Sequence, residues 1–104
     1  MTVETNFIDE LYRKLGLSPK VYTYLDLGKP VWTSQEQLML IKLISKELYL
    51  GAHIYTNDIG WVIEELITGT EIWNESFEQA LAEFIITFIE NGGIPKEKVI
   101  DILN

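Results

Sequence analysis

Nine carboxylates, those of Glu47, Asp58, Glu64, Glu65, Glu71, Glu75, Glu78, Glu83 and Glu90, lie between Lys46 and Lys96 with no Lys or Arg among them. Side chains of this kind could do three sorts of chemistry. Paired carboxyl groups can act as general acid and base or as nucleophile, as in glycoside hydrolysis. Together with histidine they can hold metal ions between helices. Left unpaired, they project a field that attracts and orients a cationic partner.

The first two uses find little support in the spacing. A hydrolase could be built on Glu64, Glu71 or Glu75, but it needs a cleft, and a small helical bundle leaves little room for one. His53 is the sole histidine, in the 51–55 connection. Ser45 and Thr56 are near it in sequence, without any pattern that makes a nucleophile of either, so it reads as a hydrogen-bonded loop residue. No Glu-x-x-His pair, calcium-loop pattern or phosphate-cradling glycine loop occurs. The chain has no cysteine, which removes disulfides, thiolate catalysis and zinc–thiolate sites together. The expectation is a non-enzymatic protein without cofactor or metal.

Charge points to the third use. Residues 1–46 carry five acids and six bases, so nearly all of the formal net charge of −8 resides in the second half. Direct phosphate binding needs an excess of the opposite sign. Arg13, Lys14, Lys20 and Lys29 form only a mild basic group, read as the cationic end of a first helix plus solvated loop residues. Apolar residues make up 47% of the chain, enough to bury a core and to argue against disorder. The first residues lack the basic start and apolar run of a signal peptide, and charges interrupt the apolar stretches at 38–50 and 77–89. A cytoplasmic location is expected, and the formal glycosylation sequon Asn74-Glu75-Ser76 then reads as chance.

Start and stop signals divide the chain into four or five segments of helical period. The first covers about residues 4–15, with Phe7, Ile8, Leu11 and Leu15 on one stripe and Gly16 as a left-handed cap. Ser18-Pro19 looks like a cap and first turn, which favours a short helix over 21–27 rather than an extended piece, and Gly28-Lys29-Pro30 closes it as a turn. Thr33 or Ser34, with Glu36 or Gln37 at the capping-box position, opens a helix ending at Gly51; its apolar residues spread round most of its circumference and mark it as central. Thr56-Asn57-Asp58 starts a third long helix ending at Thr68-Gly69, Asn74-Glu75-Ser76 a fourth ending at Asn91-Gly92-Gly93, and Pro95 a short last one. The expected architecture is all-α: a single-domain bundle of four to five helices with short connections, one acidic domain over 1–104.

Projected at about 100° per residue, the third helix places Ile59, Val62, Ile63 and Leu66 on one side and Asp58, Glu64 and Glu65 on the other, with Trp61 among the acids. The fourth clusters Glu75, Glu83 and Glu90 with Gln79 and Ile86, and Tyr55 and Trp73 flank the two helices. An exposed Trp ringed by carboxylates can anchor a partner while the charges steer it; equally, Trp61 can be covered by a neighbouring helix above a solvated acidic surface.

The function expected is protein binding and inhibition: an immunity-protein-like domain that neutralises a basic partner, such as a nuclease toxin or a nucleic-acid-binding enzyme, through an acidic face in residues 47–95, blocking its cationic cleft by occlusion or charge mimicry. The partner-binding residues would be Asp58, Trp61, Glu64, Glu65, Glu71, Glu75, Glu83 and Glu90. The alternative is a helical adaptor or assembly subunit, including a homodimer, since the chain's twelve aromatic residues could exceed what one small core covers.

Overall fold

The computed structural model describes residues 6–18 and 32–104. Across these residues run four helices and a three-stranded antiparallel sheet: α1 (Phe7–Leu15), α2 (Ser34–Glu47), β1 (His53–Thr56), β2 (Trp61–Glu65), β3 (Thr70–Asn74), α3 (Phe77–Glu90) and α4 (Lys96–Leu103). The all-α expectation is therefore wrong, and the architecture is mixed α/β. The short helix expected over 21–27 lies outside the described residues.

The helices that form do so for the local reasons visible in the sequence. Asn6 caps α1, its Oδ1 accepting from the backbone N–H groups of Ile8 and Asp9, both at 3.1 Å. Gly16, at φ 73°, ends it in the left-handed conformation. Ile8, Leu11, Tyr12 and Leu15 are its buried stripe. At the start of α2 the capping box is complete: Glu36 N–H donates to Thr33 Oγ1 at 3.1 Å, and Thr33 N–H donates to Glu36 Oε1 at 2.9 Å. Ser76 caps α3, and Pro95 stands at the N-cap of α4.

The central helix is α3 rather than α2. Ala80, Leu81, Ala82, Phe84, Ile85, Ile86 and Phe88 are all buried in α3, whereas Leu38 and Met39 of α2 face outward. Two long-range hydrogen-bonded links seat neighbours on α3. Gln79 takes the backbone N–H of Phe7 at 2.6 Å and donates to Asn6 Oδ1 at 3.1 Å, joining α1 to α3. Glu78 Oε2 accepts the Trp32 backbone N–H at 2.9 Å, and the Trp32 indole donates to the Tyr12 hydroxyl at 3.1 Å.

The segment expected as a third helix is instead β2 with its flanking turns. Strand order is β1-β2-β3, with Ile54 opposite Ile63 and Ile63 opposite Ile72. That isoleucine row packs with the core formed around α3. The i, i+3, i+4, i+7 spacing of Ile59, Val62, Ile63 and Leu66 imitates a helix face, but Gly60 lies in a turn that only glycine can make here. Its φ is +155°, and a Cβ there would come within 2.6 Å of the Asn74 carbonyl oxygen and 2.7 Å of Glu75 Cα. The turn at 57–60 closes on Asn57, whose Oδ1 accepts from Ile59 and Gly60 N–H at 2.9 and 3.0 Å. No helix among the described residues is long and apolar enough to cross a membrane.

Candidate protein-binding face

Alternation along the strands gives the sheet two unlike faces. Trp61, Ile63 and Glu65 of β2 point to the side of α3, so Val62 and Glu64 point away. Register extends that outward face into two rows: Tyr55, Val62 and Trp73 in one, His53, Glu64 and Glu71 in the other. Tyr55 and Trp73 are 43% and 48% exposed, so about half of each ring meets solvent. Val62, between them, has no exposed surface and is not part of the main core cluster.

Each ring is tied to a carboxylate in the neighbouring row. The Tyr55 hydroxyl donates to Glu64 Oε2 at 3.5 Å, and the Trp73 indole N–H donates to Glu71 Oε1. His53 Nδ1 lies 3.5 Å from Glu64 Oε1. Partial desolvation, followed by the charges of Glu64 and Glu71, pushes the Tyr55 phenol above its ordinary value. Glu64 and Glu71 occupy directly opposed positions on adjacent strands, an arrangement that is unfavourable for like charges.

The other acidic side chains singled out from the sequence separate into distinct settings. Asp58 is exposed in the 57–60 turn, and Glu75 is exposed at the junction that this turn packs against. Glu65 is only 4% exposed and works within its own hairpin, accepting from Thr68 N–H at 3.2 Å, Thr68 Oγ1 at 3.0 Å and the Ile67 N–H. Glu83 and Glu90 lie beside α1. Glu90 is 2.6 Å from Lys14, and partial desolvation, with Glu10 adding repulsion, raises the Glu83 carboxyl above its ordinary range. Since α3 packs on the inner side of the sheet, Glu83 and Glu90 do not extend the row made by Glu64 and Glu71.

Trp61 also takes a different place from the anchor envisaged. Its indole lies against Phe77 with centroids 4.9 Å apart and planes tilted by 54°. Ile86 is buried at 6% exposure. The half-exposed aromatic residues are Tyr55 and Trp73, which reading 58–68 as helix left as mere flanks. Short runs of aromatic and β-branched residues, 53–56, 61–63 and 70–73, bounded by the turn signals at 57–60 and 68–69, were the signal that would have found the strands that carry them.

An open cleft of about 350 Å³ lies between the end of α2, the 66–69 turn and the end of α3, lined by Leu48, Tyr49, Ile67, Phe88 and Gly93 among others. Both carboxylates on its wall are engaged, Glu47 with Lys98 and Glu65 with its own turn, and His53 is not on it. Among the described residues no group of three His, Asp or Glu converges to hold a metal ion. Comparison with known proteins found no matching family model, no matching curated protein and no matching solved structure.

Proposed function

We propose that this protein acts by binding and neutralising a basic protein partner, in the manner of an immunity protein set against a nuclease toxin or another nucleic-acid-binding enzyme. The observation that carries this reading is the outward sheet face, where half-exposed Tyr55 and Trp73 stand beside Glu64 and Glu71 with no Lys or Arg from residue 47 to 95. A protein that holds phosphate must present cationic side chains, so an aromatic face with negative charge complements it in both contact and sign. Asp58 and Glu75 add charge beside the 57–60 turn. Glu65 and Trp61 serve the fold in this reading, and Glu83 and Glu90 contribute to the field at a distance.

The test is capture from native lysate by wild-type protein and by the Glu64→Lys/Glu71→Lys variant, followed by purification of whatever distinguishes them. A basic protein retained only by the wild type, bound in purified form with an affinity that falls as salt rises, and inhibited in its own nucleic-acid activity supports the reading. Equal retention by both baits overturns it.

A second reading, an adaptor or self-associating subunit, is favoured by a separate observation. Tyr49, Leu50, Leu66 and Ile67 are 91%, 55%, 56% and 62% exposed, and Tyr49 and Ile67 line the open cleft. Apolar groups gathered in this way suit an apolar contact. Sedimentation equilibrium at low and high salt separates the readings: a dimer indifferent to salt and abolished by Tyr49→Ser/Ile67→Ser belongs to the second.

A further inference from the structure

The outward sheet face also indicates which group of the basic partner it takes. We infer that Tyr55, Glu64, Glu71 and Trp73 together form the docking site for an arginine side chain of a protein partner, the guanidinium bridging the two carboxylates with its plane against the exposed aromatic surface. This deepens the proposed function and rests on it.

The sheet carries an imbalance of charge. Glu64 and Glu71 are paired across β2 and β3, where opposite charges would stabilise and like charges repel. His53 stands on the far side of Glu64, and no described Lys or Arg pairs with Glu71. A cation bound between them removes the repulsion, so the free protein already favours its arrival. The aromatic residues narrow the choice of cation. The Tyr55 hydroxyl and Trp73 indole N–H each hold one carboxylate oxygen. This orients the carboxylates and sets ring edges beside them, while about half of each ring remains open. A guanidinium is planar, offers five donors in a rigid fork and stacks on an indole, so it can bridge two carboxylates and cover a ring at once. An ammonium is a compact, strongly hydrated charge that would satisfy one carboxylate and leave the ring face uncovered.

The test uses two short probes of equal charge, Gly-Arg-Gly-Arg-Gly and Gly-Lys-Gly-Lys-Gly, titrated into the ¹⁵N-labelled full chain at low salt. The expected result is a shift of the Trp73 indole resonance together with amides of β1, β2 and β3, and binding of the arginine peptide about threefold tighter than the lysine peptide. Trp73→Ala should weaken arginine-peptide binding about fivefold, and Glu64→Gln/Glu71→Gln about tenfold. Preserved dispersion of the remaining amide resonances shows that each variant is folded. Trp73→Phe, which keeps a ring but loses the indole donor, should fall between wild type and alanine. Equal affinity for the two peptides, or shifts scattered over Glu75, Glu83 and Glu90 with no response to Trp73→Ala, overturns the arginine site while leaving a general affinity for basic partners standing. If neither peptide binds anywhere, both the site and the proposed function fall.

Discussion

The indole of Trp61 rests on the ring of Phe77, 4.9 Å between centroids, and so ties the first residue of β2 to the first residue of α3. That contact joins the hairpin to the central helix on the side opposite Tyr55 and Trp73. Trp61→Ala should therefore lower stability by about 3 kcal/mol, the low end for a truncated core aromatic, because Trp61 keeps some exposure. Urea unfolding checks this as a lower midpoint with an unchanged slope. Trp73→Ala, on the outward face, should move the midpoint far less.

Glu65 is the second position where a side chain counted among the partner-facing residues serves the fold. Its carboxylate gathers donors from Ile67 and Thr68, closing the turn between β2 and β3. Glu65→Ala removes these charge-assisted bonds, and with water free to reach Ile67 and Thr68 it should cost about 1.5 kcal/mol. Glu65→Gln, which retains one acceptor oxygen, should lose less. Amide hydrogen exchange at Thr68 should accelerate in both, and most in the alanine variant.

Gly60 sits where a Cβ would meet backbone atoms of Asn74 and Glu75, not a side chain that could move aside. Gly60→Ala should destabilise by about 2 kcal/mol through strain at the end of the β1–β2 turn. The same substitution at Gly69, where φ is +73° but no atom lies within 4 Å of a Cβ, is the comparison. It should cost about 1 kcal/mol from backbone conformation alone. Thermal melts of the two variants side by side give the difference.

Glu83 makes stability depend on pH. Partial desolvation and the charge of Glu10 across on α1 raise its carboxyl above the ordinary 4.5, so the folded state holds that proton more tightly than the unfolded chain does. Its contribution is most favourable below 4.5 and declines as pH rises through the raised value. Glu83→Gln removes this decline. The variant should melt higher than wild type at pH 7, and the gap should close as the pH falls below 4.

Much of the helical framework was legible in the sequence because capping is a local event. Gly16, Thr33 with Glu36, Ser76 and Pro95 do their work within one turn of their own positions, whereas Asn6, the cap of α1, was passed over for a start near residue 4. The sheet was not legible in the same way. Ile59, Val62, Ile63 and Leu66 satisfy a helical spacing, and only pairing with β1 and β3 decides between the two periods. Glu65 worked against the strand reading as well, since a buried acid at an inward position breaks the alternation until its turn donors are known. The acidic character of 47–95 was plain, but which acids share a face depends on that pairing. Glu64 and Glu71 meet through strand register, whereas Glu83 and Glu90 are drawn to α1.

The link from Gln79 back to Asn6 and Phe7 spans more than seventy positions of chain. On a ribosome adding about 5–20 residues per second, the first helix would wait roughly 4–15 s for the side chain that clasps its leading end. Over that interval Ile8, Leu11 and Leu15 have no α3 to lie on. Placing α1 must then close a loop that encompasses the whole hairpin region, a step governed by topology rather than by helical propensity. The helix α1 is thus made well before the helix it docks on, and its place in the fold is decided only once α3 exists.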